Sequence, residues 1–141
     1  QAMAKAMGGD VITDINRAEL GVVTIRLTEA GRQDAVFGES GDTFLAAQGH
    51  QDIVVRLPHD ATLLASSGRV ENQAFCFTNK PIYCTQFHPE LDRASFLERV
   101  EADPQYVEAI AGVSLEDFRN TFCQETPIAA RILTRFIEVC L

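Results

Sequence analysis

The sequence predicts an α/β chain in which β-hairpins occupy the N-terminal part and helices the C-terminal part. Up to about residue 90, short runs of β-branched and aromatic residues alternate with turn-forming Gly, Pro, Asn and Asp. This pattern is typical of closely spaced antiparallel strands. After Leu91 the apolar residues recur at helical spacing instead. The 141 residues are 46% hydrophobic, which fits one globular domain with a core of its own.

The first predicted element is a short helix. Gln1 to Met7 is rich in Ala, Met and Lys, which favour helix, and the Gly8-Gly9 pair is a helix stop signal. No capping residue precedes this helix, so we expect the chain to start in the middle of an element. Strands are predicted next over residues 10–16, 21–27, 43–47, 53–57, 61–66, 73–78 and 81–90, with a polar turn at 28–34, a short apolar return at 35–38 and a polar loop at 48–52.

Four helices are predicted after Leu91. The first covers residues 94–102, and the second opens at Asp103-Pro104, where Pro suits the first turn. The third follows a capping Ser114, and an amphipathic helix follows Thr126-Pro127. We expect all four to serve packing.

Charge and composition exclude several classes of function. A net charge of −8 and a pI near 4.8 argue against binding to nucleic acid or to anionic membrane surfaces. No apolar run approaches the length of a membrane span. The four cysteines form no CxxC pair, so no metal site is expected. Isolated cysteines without a secretory signal suit a reducing cytoplasm, where we expect the protein to reside.

One stretch carries a candidate chemistry. Residues 81–90 predict a largely buried strand, and Pro89 should end its pairing immediately after His88. Glu90 is close enough to bind one ring nitrogen of His88. A histidine held by a carboxylate is the base half of a nucleophile–base–orienter triad. Taken alone, the same residues also fit a hydrogen-bonded surface histidine.

Six segments follow one another along the chain in a recognisable order: residues 1–9, Gly49-His50-Gln51-Asp52, Leu57-Pro58, Ala65-Ser66, Ala74-Phe75 and Gln86-Phe87-His88-Pro89-Glu90. Together they resemble class I glutamine amidotransferases, in particular the stand-alone group similar to the amidotransferase domain of GMP synthase. The resemblance covers residues 1–92, and the helical tail is similar to extensions found in that group. It therefore implies an amidotransferase domain over residues 1–92 and a helical extension over 93–141.

The resemblance implies a flavodoxin-like α/β fold and a Cys-His-Glu triad that hydrolyses glutamine to glutamate and ammonia. His88 would be the general base and acid, and Glu90 would orient it. Gln1 matches the last residue of the family's Gly-x-Cys-x-Gly-x-Gln elbow and would contact the substrate. The nucleophile would then lie four positions before Gln1. We therefore expect these residues to be a C-terminal part, inactive alone, with the early parallel strands and the oxyanion hole upstream.

The resemblance also assigns a binding role to the segment from Gln48 through Gly49, His50 and Gln51 to Asp52, which would border the glutamine pocket. Gln51 stands where relatives often have Gly, a departure at the substrate contact. From the residues alone, His50 fits a loop cap equally well, and Asp52 fits a turn residue.

None of the chain's own cysteines is expected to replace the upstream nucleophile. Cys84 lies four residues before His88 on the same predicted strand, or about 13 Å away at the rise of a β-strand. We expect Cys76 to lie in the core and Cys123 and Cys140 on the tail helices.

Two alternatives remain open at this stage. A γ-glutamyl peptide hydrolase would use the same triad on a γ-linked amide. A binding or regulatory module could keep the scaffold without the thiol. The glutaminase reaction implies no metal or organic cofactor, and its expected partners are L-glutamine or a γ-glutamyl compound and a synthetase that receives ammonia.

Overall fold

A computed structural model describes all 141 residues, with seven strands and six α-helices. The strands are β1 Asp10–Thr13, β2 Glu19–Leu27, β3 Thr43–His50, β4 Asp52–Arg56, β5 Ala61–Ser66, β6 Ala74–Phe77 and β7 Tyr83–Thr85. The helices are α1 Ala2–Ala6, α2 Glu29–Gln33, α3 Arg93–Glu101, α4 Pro104–Ala111, α5 Leu115–Thr121 and α6 Pro127–Cys140.

The strands form two antiparallel sheets. The larger has five strands in the order β3-β2-β5-β6-β7, and the smaller pairs β1 with β4. The β2–β3 ladder is the longest and runs from Glu19 opposite His50 to Arg26 opposite Thr43. β-Branched residues from Val22 to Ile25 favour this extended pairing. Together with the helices, the two sheets make an α/β fold.

The polar loop predicted over residues 48–52 is wrong in its extent. β3 continues through Gln48 and Gly49 to His50, and β4 begins at Asp52, so Gln51 alone separates them. The two strands belong to different sheets. The chain therefore changes sheet at Gln51, and the polar side chains around it gather at this corner.

Three other predicted boundaries differ from the structure. Residues 28–34 hold the helix α2, because the Thr28 hydroxyl accepts a hydrogen bond from Gly31 N–H at 3.0 Å and caps it. Residues 10–16 divide into β1 and a 3-10 turn over Ile15–Arg17. The strand predicted over 81–90 is paired only at Tyr83–Thr85, and beyond it His88 makes one isolated bridge to Ala47.

The helices cover two apolar clusters. α6 contributes Ala129 and Ile132 to the main core, where Phe87 packs edge-on against Phe44. α3, α4 and α5 enclose a second cluster against Ala47 of β3, with Phe96, Val100, Val107 and Phe118 buried. None of the helices is both long and apolar enough to cross a membrane.

Candidate active site

His88 and Glu90 lie directly beyond β7. The backbone N–H of His88 donates to the Ala47 carbonyl at 2.9 Å, which ties this segment to β3. The ring Nδ1 of His88 lies 2.7 Å from Glu90 Oε1. Because an ionised carboxylate only accepts, Nδ1 carries the proton that it shares with Glu90. Nε2 makes no hydrogen bond to the protein and is free to exchange a proton with a ligand.

A polar cavity of about 480 Å³ opens beside His88. Its volume is within the usual range for small-molecule sites, and no hydrophobic residue lines it. This is the surface expected for a small ligand with several charged or amide groups. The lining residues are Gln1, Gly49, His50, Gln51, Asp52, Thr85, Gln86, His88 and Arg99.

Gln1 is held on one wall of this polar cavity. Its Nε2 donates to the Asp52 carbonyl at 2.8 Å and to Gln86 Oε1 at 3.2 Å. Gln86 is buried, and its own Nε2 has no hydrogen-bond partner in the protein. A buried amide N–H without a partner at a cavity wall is a donor available to a ligand.

Gln48 is the one predicted binding residue that does not line the polar cavity. Its side chain is fully buried, and its Nε2 donates to Gln73 Oε1 at 2.9 Å. Gln48 is therefore bonded in the interior, whereas Gly49 and His50, at the end of β3, line the cavity. The assignment of Gln48 to the pocket is therefore corrected.

His50 lines the polar cavity but is 5% exposed. Its Nε2 lies 3.2 Å from Glu19 Oε2, which leaves Nδ1 buried without a partner. Glu19 also accepts from the Ser67 hydroxyl at 2.7 Å and from Gln73 Nε2. These contacts fix the ring at the corner between the sheets.

Sequence reasoning missed the buried group around Glu19 and three residues of the cavity wall, Thr85, Gln86 and Arg99. In the strand predicted over residues 81–90, Gln86 lies two residues before His88. Residues two positions apart lie on the same face of a strand, so the sequence contained a usable signal that Gln86 accompanies His88. Arg99 lies on α3, for which the sequence predicted only a packing role. Its position at the cavity depends on how α3 folds back, for which the sequence has no local signal.

The four cysteines are free, and none lines the polar cavity. Burial raises the pKa of the Cys76, Cys84 and Cys123 thiols. A raised pKa lowers the fraction of reactive thiolate. The structure therefore offers no activated thiol beside His88 among these residues.

Comparisons with known proteins agree with this fold. The chain is 33% identical over 91 residues to a subunit of the glutamine-hydrolyzing GMP synthase of Sulfolobus acidocaldarius, and the match covers 64% of this chain and 46% of the relative. It is 35% identical over 91 residues to the protein of the same name from Methanothermobacter thermautotrophicus, covering 64% and 47%. The chain spans less than half the length of these curated relatives.

Solved structures show the same architecture. A glutamine amidotransferase from Thermotoga maritima superposes with a TM-score of 0.77 at 25% identity, over 96% of this chain and 56% of that one. A glutamine amido transferase from Methylobacillus flagellatus has a TM-score of 0.72 at 19% identity, over 100% and 60%.

A family model described as "Glutamine amidotransferase class-I" matches residues 1–100 of the chain. The match includes the whole of the polar cavity and extends into α3. This chain belongs to the class-I glutamine amidotransferase family.

Proposed function

We propose that the complete protein hydrolyses the side-chain amide of glutamine to glutamate and ammonia, with His88 and Glu90 as two members of a Cys-His-Glu triad. The observation that carries the proposal is the His88–Glu90 hydrogen bond of 2.7 Å at the wall of a polar cavity that also holds Gln1. The third member is a cysteine upstream of Gln1. The buried thiols of this chain do not suit the role.

In the first step the thiolate attacks the amide carbon of glutamine. His88 takes the thiol proton at Nε2 and gives it to the departing nitrogen as the C–N bond breaks, so that ammonia leaves and a glutamyl thioester forms. Glu90 stabilises the imidazolium that exists between these two transfers. In the second step His88 deprotonates a water, which attacks the thioester; the carbon–sulfur bond breaks and glutamate leaves.

The other cavity residues would bind the glutamine. Gln1, whose amide is oriented by Asp52 and Gln86, would contact the substrate together with Gly49 and Gln51, which also line the cavity. The ammonia would pass to a synthetase partner, as the names of the GMP synthase relatives suggest for those proteins. A γ-glutamyl peptide hydrolase is the second candidate, and an apolar cavity beside His88 favours it.

The principal test is glutamate release by the His88→Ala variant of the complete protein. Loss of general acid–base catalysis should lower kcat by roughly 10²–10⁴-fold with an unchanged melting temperature. The control is His59→Ala, because the His59 side chain is fully exposed and lies outside the cavity. Unchanged turnover in His88→Ala would defeat the assignment of His88, whereas no turnover by the wild-type protein would favour a non-catalytic module.

A second measurement locates the nucleophile. Alkylation of the complete protein with and without glutamine, followed by peptide mapping, should show one protected cysteine on a peptide upstream of Gln1. Protection of Cys76, Cys84, Cys123 or Cys140 instead would contradict the proposed triad.

A further inference from the structure

A second cavity adjoins the polar one on the other side of His88. We call it the side cavity; its volume is about 160 Å³. Five of its nine lining residues are hydrophobic, whereas the polar cavity has none. Its walls come from β2 and β3, from the segment after β7, and from α3 and α4. The lining residues are Leu20, Gly49, His88, Leu91, Phe96, Arg99, Val100, Asp103 and Tyr106.

The side cavity meets the chemistry at His88. Gly49, His88 and Arg99 line both cavities and so form the boundary between them. In the proposed reaction His88 protonates the departing nitrogen, so whatever is attached to that nitrogen must pass next to this ring. The polar cavity with Gln1 would hold the glutamyl part. The side cavity then lies where a leaving group larger than ammonia would be placed.

Arg99 supplies a charge at the same boundary. Arg99 is exposed, its side chain makes no hydrogen bond or ion pair with the protein, and it is the one Arg or Lys that lines either cavity. The carboxylate of Asp103 is occupied in capping α4 through Tyr106 N–H at 3.1 Å. A guanidinium with all its donors free is suited to bind a carboxylate in a bidentate manner.

We propose that the side cavity is a leaving-group subsite for γ-glutamyl amides of apolar amino acids. The apolar side chain would fill the space among Leu91, Phe96 and Val100, and the carboxylate would bind Arg99. Water is added across the γ-amide bond: the C–N bond breaks, His88 gives the nitrogen its proton, and glutamate and the free amino acid leave. This inference rests on the proposed thiol chemistry and names its substrate class.

The test compares four substrates of the complete protein: glutamine, γ-glutamyl-glycine, γ-glutamyl-leucine and γ-glutamyl-leucinamide. Because the leucine side chain would be buried, kcat/KM for γ-glutamyl-leucine should exceed that for γ-glutamyl-glycine by roughly tenfold or more. The leucinamide derivative lacks the carboxylate and should be roughly tenfold poorer than the leucine derivative.

Arg99→Met should bring the ratio of kcat/KM between the leucine and leucinamide derivatives close to one, and Arg99→Lys should leave an intermediate ratio. Arg131→Met is the matched control, since Arg131 on α6 is also exposed without an ion pair and lines neither cavity. Its ratio should equal that of the wild type.

Three results would overturn the inference, and they can be distinguished from one another. Turnover of glutamine with equal kcat/KM for the glycine and leucine derivatives removes the subsite and leaves the proposed function standing. A leucine-to-leucinamide ratio that Arg99→Met leaves unchanged removes the role of Arg99 in the same way. No turnover of any of the four substrates overturns the proposed function and this inference together.

Discussion

The two histidines at the polar cavity each contact a carboxylate, but one pair is buried and the other is accessible to solvent. This difference in burial indicates different roles. His88 and Glu90 are accessible to solvent, so protons can enter and leave the pair. His50 and Glu19 are buried, and Glu19 accepts from three side chains. A buried carboxylate with this many donors holds its neighbours in place. At the residue scale the first pair suits chemistry and the second suits support of the cavity wall.

Replacing Glu19 tests this supporting role. Glu19→Ala removes the acceptor shared by His50, Ser67 and Gln73, and should lower the free energy of unfolding by about 3 kcal/mol, as expected when one partner of a buried polar pair is lost. Glu19→Gln keeps the shape and one acceptor oxygen and should cost less. Urea unfolding measures both, and equal losses in the two variants would argue against the hydrogen bonds as the cause.

At the residue scale, the sequence was sufficient for the pairing of His88 with Glu90, because only Pro89 separates them and it restricts the backbone between them. The sequence was insufficient to predict the contact between Glu19 and His50, because the two residues lie 31 positions apart. Their contact depends on the register of β2 against β3, in which Glu19 faces His50. No local pattern encodes that register.

Among the elements, α3 has the most influence on the cavities, because it carries Phe96, Arg99 and Val100. Its first turn is capped by Asp92, whose side chain accepts from Ser95 N–H at 2.8 Å. This hydrogen bond, together with one to the Ser95 side chain, holds the pKa of Asp92 below its ordinary value. Capping by Asp92 therefore connects the ionisation of one exposed carboxylate to the position of α3.

The lowered pKa of Asp92 predicts a pH dependence. The carboxylate is favoured in the folded state, so its stabilisation is present above the unfolded pKa of about 3.9 and is lost as the pH falls through the folded value. An Asn cap does not titrate. The stability of the wild type relative to Asp92→Asn should therefore decline as the pH falls from about 5 to below the unfolded pKa, as measured by urea unfolding.

The comparison with Asp92→Asn cancels every other titrating group, since both proteins share them. A difference between wild type and variant that stays constant with pH would show that the cap does not depend on the charge of Asp92.

On the scale of the whole molecule, the helical tail is part of the core. α6 buries Ala129 and Ile132 against the five-stranded sheet, and the Phe122 carbonyl at the end of α5 accepts from Val22 N–H of β2 at 2.7 Å. Gly21 permits this close approach: its φ is +109°, and a Cβ there would lie 2.9 Å from Phe122 Cβ. A boundary at residue 92 therefore separates segments that share a core.

Truncation of one α6 side chain tests this packing. Ile132→Ala should lower the free energy of unfolding by about 2–5 kcal/mol because it leaves a cavity in the main core. Ile137→Ala on the same helix is the control, since Ile137 is 58% exposed and should change stability by less than about 0.5 kcal/mol. Similar losses at both positions would mean that α6 is held by its helical propensity and not by the core.

The sequence by itself determined the strand-rich first part, the start of α4, the cap of α5, the end of α1 at Gly8-Gly9, and the His88–Glu90 pair. Each depends on residues within a few positions of one another, where propensity and reach are sufficient. Only the tertiary structure decided that Gln48 points into the interior, that Arg99 joins the cavity, and that a side cavity opens behind His88. These features depend on strand register and on how α3 packs, which distant contacts fix.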